Sequence, residues 1–235
     1  MRLFINFILI TLLINTIQAQ ADSFVVDKVY HPYVLPNEQE FEWRLFSRQA
    51  DDGNKLTQHI AYGFSLSERI MFEGYILGER DANDADDYGL KSYEAEIRWM
   101  LTEQGELWAD WGTLFELEKQ HDSNDWEATA ALLFEKEIGK TSLTMNLFMT
   151  YEWGDNTRDR IKNEFRLQYR YRFMPQLQPA FELYTGHNYL GAGPAFMGIQ
   201  RFDRQKQLKW EMGFIIGFNG NNKDNTLRVA VEYEF

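Results

Sequence analysis

The chain has no cysteine, five prolines and four histidines in 235 residues. Without cysteine there is neither a disulfide framework nor a lipid-bearing anchor cysteine. Proline is sparse, and no low-complexity run or shift in composition marks a linker, so one domain is expected. Basic residues are also few: 24 Lys and Arg against 36 Asp and Glu give a formal net charge of −12. That balance argues against nucleic acid or other phosphate-rich partners, which need basic surfaces. Beyond the first 17 residues no segment approaches 18 consecutive apolar positions, so no transmembrane helix is expected. Strands are not excluded, because a strand in a bilayer shows only every second residue to lipid.

What the chain does have is alternation. In residues 226–235, Leu227, Val229, Val231, Tyr233 and Phe235 take one face, and Arg228, Ala230, Glu232 and Glu234 the other. Period-two alternation is how a sheet presents one apolar and one polar face. A soluble sheet rarely leaves such a strand as an open edge, because edges invite aggregation; a closed barrel has no edge. The same pattern recurs upstream. Phe41, Trp43 and Leu45 oppose Glu42 and Arg44; Tyr93, Ala95, Ile97, Trp99 and Leu101 oppose Glu94, Glu96 and Arg98. Leu143, Met145, Leu147, Met149, Tyr151 and Trp153 share a face, as do Leu208, Trp210, Met212, Phe214, Ile216 and Phe218. A strand is also expected to run from Leu107 through Trp111 to Leu117, with Asp110 and Glu116 on its polar face. Two segments, about 178–187 and 192–202, are less clear in phase because Pro179 and Pro194 interrupt them. About twelve strands result, at spacings suited to a meander. Residues 22–37, with Pro32 and Pro36, read as irregular.

The amino-terminal residues have the layout of an export signal. Met1 and Arg2 form a short positive region, residues 3–17 are largely apolar, and Ala19-Gln20-Ala21 offers a small-x-small cleavage site. Cleavage after Ala21 leaves residues 22–235 as a single domain. The terminal aromatic Phe235, preceded by alternating apolar positions that include Tyr233, resembles the assembly signal of bacterial outer-membrane β-barrel proteins. The resemblance implies an all-β, antiparallel, up-and-down transmembrane barrel in the outer membrane of a Gram-negative bacterium. It further implies outer-membrane lipid and lipopolysaccharide as surroundings and the barrel-assembly machinery as a partner. Connection lengths point the same way: from the third on, odd-numbered connections are longer and richer in Asp, Asn and Gly than the even ones, as expected of outer loops and periplasmic turns. Trp99, Trp111 and Trp210 then fall near the inner rim and Trp126 and Trp153 near the outer, as membrane girdles do.

If the apolar faces meet lipid, the polar faces line a lumen. Expected lining residues are Glu94, Glu96, Arg98, Asp110, Glu116 and Glu211, with Arg166, Gln168, Arg170 and Arg172 in one column of the eighth strand. A basic column near acidic walls resembles the constriction of general porins, where a transverse field sorts solutes by charge. Twelve strands lie between side-chain-filled eight-stranded barrels and open sixteen-stranded pores, so a passage and a plugged lumen both stay open. The acidic-sugar porins offer an analogy of strand number, but their lumens are strongly basic and this one is acid-rich. The expected role is passive passage of small hydrophilic solutes, with weak cation preference. One alternative is a rim lipid hydrolase. Outer-membrane lipid hydrolases carry His-x-Ser-Asn, and this chain has His121-Asp122-Ser123-Asn124 with Glu127 nearby. Against it, the segment reads as a loop and Asp125 follows the Asn. A second alternative is a non-conducting structural or adhesive barrel. No cofactor or metal site is expected: the acidic run Asp81, Asn83, Asp84, Asp86, Asp87 departs from a calcium loop, and His59 and His187 stand alone.

Overall fold

The structure, a computed structural model, describes residues 25–50, 53–81, 88–186, 189–202, 206–218 and 224–235. The expected export signal (residues 1–21), His187 and the acidic run, apart from the backbone of Asp81, lie outside the described residues. Twelve strands follow in chain order: β1 (Gln39–Ala50), β2 (Gly53–Ser65), β3 (Ile70–Asp81), β4 (Gly89–Met100), β5 (Asp110–Gln120), β6 (Trp126–Ile138), β7 (Thr141–Trp153), β8 (Arg160–Tyr171), β9 (Gln178–Gly186), β10 (Tyr189–Arg201), β11 (Gln207–Gly217) and β12 (Asp224–Glu234). Each pairs antiparallel with its neighbour in sequence, and β12 returns to β1, closing the barrel. Both proline-bearing segments are strands. The β10–β11 ladder lapses at Gly193 and Pro194 and resumes where Ala195 meets Gly213, because proline has no N–H to donate.

Alternation sorts the side chains as a lipid-facing barrel requires. Phe41, Ile60, Ile76, Ile97, Phe115, Leu147, Met149 and Phe214 are exposed on the outer face, while Glu42, Arg44, Glu73, Glu96, Gln168, Glu182 and Arg228 are buried on the inner one. At the β1–β12 seam Phe41 lies opposite Tyr233. The Phe235 N–H donates to the Gln39 carbonyl at 2.9 Å, and the Phe235 ring stacks on Phe41 and Tyr233, each at 5.8 Å. Trp126 and Trp153 stack at 6.4 Å on adjacent strands. Trp111 meets Phe134 edge-on at 5.0 Å, and Trp108, which the strand pattern left unassigned, covers the same ring at 6.0 Å.

The connections depart from expectation in two places. β5 starts at Asp110 rather than Leu107, so residues 101–109 form the longest connection although it is an even one. A local turn consumes the first residues: Glu106 N–H donates to the Glu103 carbonyl, Gly105 N–H to the Asp110 carboxylate and Trp111 N–H to Thr102 Oγ1. The ninth connection, an odd one, is only residues 187–188. Connection length alone therefore does not tell one rim from the other.

Candidate functional site

Residues 25–37 form no strand, yet Val25, Val26, Val29, Tyr30 and Val34 are almost fully buried. They form a strap that runs along the inside of the barrel. At one end Val25, Val26 and Val29 pack on Tyr184 and Ile215. Val25 lies against Gly186, the last residue of β9, at the rim closed by the odd connections. At the other end Val34 packs on Met71 and Met100, and the Leu35 carbonyl accepts from Ser65 Oγ. Asn37, with φ of 57°, turns the chain from the strap into β1. Asn tolerates that left-handed conformation better than most residues. Pro32 cannot join a ladder, and its backbone comes so close to Gly112 that a Cβ there would lie 3.0 Å from Pro32 Cα.

The middle of the strap is held by inward residues of many strands. Tyr30 fills an apolar pocket of Leu114, Ala131, Leu133 and Phe148. Beside it the buried Asn146 amide accepts from Tyr30 N–H and donates to the Tyr30 carbonyl, both at 2.8 Å, as a strand's backbone would. Lys28 Nζ bonds Glu42 of β1 and Glu232 of β12. Arg44 reaches the Asp27 carboxylate at 2.8 Å, and Arg166 donates to the Lys28 carbonyl at 2.8 Å. Tyr184 Oη donates to the Asp27 carbonyl at 2.7 Å. Nearer the rim closed by the even connections His31 Nδ1 meets Glu135 at 2.5 Å, and Tyr33 Oη donates to Asp110 at 2.8 Å.

All ten residues expected to line the lumen lie on the inner face or at its rim, and their surroundings differ by wall. The basic column of β8 is engaged throughout. Arg166 meets Glu164 and Asp27, Gln168 donates to Glu182, Arg170 bonds Ser142 and Glu135, and Arg172 bonds Glu137. Arg98 pairs with Glu73, and Glu211 with Arg228, which also holds Glu182. The acidic wall of β4–β6 is different. Among the described residues, Glu94, Glu96, Glu116, Glu118 and Glu127 have no Lys, Arg or His within 4.0 Å. Register places Glu96 beside Glu116, Glu94 beside Glu118, and Glu118 beside Glu127. These carboxylates of β4–β6 thus lack the ion-pair partners that the arginines of β8 have. His59 is a lone inward residue against Phe46, their rings 5.1 Å apart.

At the rim closed by the odd connections the structure does not bring His121 and Ser123 together. Ser123 Oγ donates to Asp125 Oδ2 at 2.7 Å, and His121 Nδ1 faces Tyr93 Oη at 3.3 Å. Glu127 is inward on β6, away from the imidazole. The cause is local: Asp125 also accepts from Asn156 N–H at 2.8 Å, and so clasps two neighbouring odd connections. Gly154 makes room for it, since a Cβ there would overlap Asp125. These hydrogen bonds, that of Ser123 first, hold the Asp125 carboxyl below its ordinary 3.8.

No protein-family model matches the chain, and no curated protein matches it. Solved structures with the same fold do. The outer-membrane channel COG4313 from Pseudomonas putida F1 superposes with a TM-score of 0.58 at 13% identity, over 89% of this chain and 100% of that one. The β domain of the Bordetella autotransporter BrkA gives 0.55 at 9% identity, over 85% and 100%. The KdgM porin in complex with disordered oligogalacturonate gives 0.54 at 12% identity, over 83% and 99%. At such identities what is shared is the fold: a closed, twelve-stranded, all-antiparallel barrel of the outer-membrane kind.

Proposed function

We propose that the protein is an outer-membrane channel for small hydrophilic solutes whose lumen is closed by its own strap. The observation that carries this reading is the strap itself: one chain segment, held by ion pairs, side-chain hydrogen bonds and small apolar pockets, occupies the lumen inside an apolar shell. Barrels of the same fold described as channels and porins support it. The unneutralised carboxylates of β4–β6 favour cations along the path that displacement of the strap opens. The non-conducting alternative rests on the same segment and differs in one respect, that the strap never leaves.

Planar-bilayer conductance separates the two. The full-length barrel should pass little current. A barrel lacking residues 25–37 and carrying Glu42→Gln and Glu232→Gln, which removes the charges that Lys28 neutralises, should pass a steady current. Its reversal potential in a salt gradient should show cation preference. A folded, strap-free barrel that passes no current refutes the channel, and an anion-selective one refutes the cation preference.

A further inference from the structure

We infer that the outer wall of β5–β8, at the rim closed by the odd connections, binds one glycolipid, an acylated saccharide that carries phosphate. Two hollows meet there. The upper one, about 550 Å³, lies between Asn124, Trp126, Tyr151, Trp153, Asp155 and Asp159. The lower one, about 360 Å³, runs over Ala130 between Phe115, Leu117, Met149 and Ile161. Ala128 and Tyr151 line both, so they form one groove, polar at the rim and apolar below it. The sequence makes the groove by placing alanine at two successive outward positions of β6. Ala128 lies opposite Leu117 and Tyr151, and Ala130 opposite Phe115 and Met149, so large side chains stand on both sides. Those four and Ile161 are exposed on the outer face, where acyl chains run.

The polar end decides which lipid fits. The rings of Trp126 and Trp153 are parallel within 8°, and those of Tyr151 and Trp153 within 18°. Such rings offer the electron-rich face on which the C–H side of a pyranose packs. At centroid spacings of 6.4 and 5.5 Å, the three present more face than a single ammonium covers. Acceptors for sugar hydroxyls surround them. Asp155 is exposed, and Asp159 accepts from Tyr151 Oη at 3.0 Å, with room on its carboxylate for further donors. On the other side of Trp126, in register with it, is Lys119. Its Nζ lies 5.6 Å from the Trp126 ring and donates to the Gln120 and Ser123 carbonyls at 3.0 and 3.1 Å. Among the described residues no carboxylate pairs with it, so its charge is available to a phosphate. The clasp of Asp125 on Asn156 fixes the two connections that carry Asn124 and Asp155, so the head of the groove is preorganised.

The site stands whether or not the barrel conducts. Delipidated full-length barrel in detergent is incubated with a rough lipopolysaccharide of one composition, alone or with equal phosphatidylethanolamine, whose ammonium also suits the carboxylates. Native mass spectrometry counts the lipid retained, and heat-modifiable electrophoretic mobility shows that each variant is folded. Wild type should keep one lipopolysaccharide per barrel in both mixtures. Ala128→Phe fills the groove where the hollows join, and Trp153→Ala removes the middle of the aromatic face. Each should lower retention at least about tenfold. Unchanged retention in either variant refutes the half of the site it removes, and the inference with it. Preference for phosphatidylethanolamine refutes the saccharide head, and no retention by wild type refutes the site.

Discussion

Asn146→Ala tests the strap where its hold is most specific. The amide makes two hydrogen bonds to one residue, both 2.8 Å long and both in a site with no exposed surface. Its loss leaves the N–H and C=O of Tyr30 unpaired, and each such bond to a buried group contributes about 1–2 kcal/mol. Local release of the strap should then become easier by about 2–4 kcal/mol, or about 30- to 700-fold, since each 1.4 kcal/mol is about a factor of ten. The ion pairs of Lys28, Asp27 and His31 remain, so the barrel stays folded. Hydrogen exchange of the Tyr30 amide reads the effect directly, with amides of β6 and β7 as internal controls. Asn146→Leu fills the volume without restoring the bonds, and should show the same loss of protection. Unchanged exchange at Tyr30, with the control amides still protected, would refute the idea that this amide holds the strap.

Arg228→Met should destabilise the barrel by about 3–5 kcal/mol in urea unfolding from lipid vesicles, because it leaves Glu182 buried and unpaired; adding Glu182→Gln should recover much of the loss. Deletion of Phe235 removes two ring stacks and the bond to Gln39, so folding yield should fall while the barrels that do form behave as wild type. The clasp of Asp125 should depend on acid. Asp125 titrates below its ordinary 3.8 when folded, so its contribution is complete above that value and is lost as pH falls through the lower, folded value. The protection factor of the Asn156 amide, its slowing relative to the intrinsic exchange rate at each pH, should fall as pH drops from about 6 to about 2 in wild type and stay level in Asp125→Asn.

Strand number, pairing order and the inward or outward sense of the side chains were readable because a barrel repeats one rule, a period of two, over every strand. The start of β5 was misplaced because Leu107 and Ala109 continue the alternation, whereas hydrogen bonds from Gly105 and to Thr102 end it. The rim motif carried little because four residues record spacing, and it is Asp125, bonded to Asn156 of the next odd connection, that sets where Ser123 points. The strap was legible only as irregular chain. A sign of it was nevertheless present on the opposite wall, where residues 130–134 are apolar at every position. Leu133, Leu114 and Phe148 sit on inward phases that a water-filled lumen would make polar. Loss of alternation on an inner face means that something apolar lies against it, and here that is Tyr30.

Lys28 has a consequence for how the barrel is made. Glu42 and Glu232 are direct partners across the β1–β12 seam, and Glu40 and Glu234 are the next inward pair. Like charges set opposite each other repel, and the first and last strands carry facing carboxylates. Lys28 touches both members of the first pair. Lys209 of β11 reaches Glu232 and Glu234, Arg44 reaches Glu42, and Lys28 adds a charge from the strap, so cations of the wall and of the strap together hold the seam. The amino-terminal segment thus shares in fastening the first strand to the last, a rivet through the joint that the wall's own cations already hold.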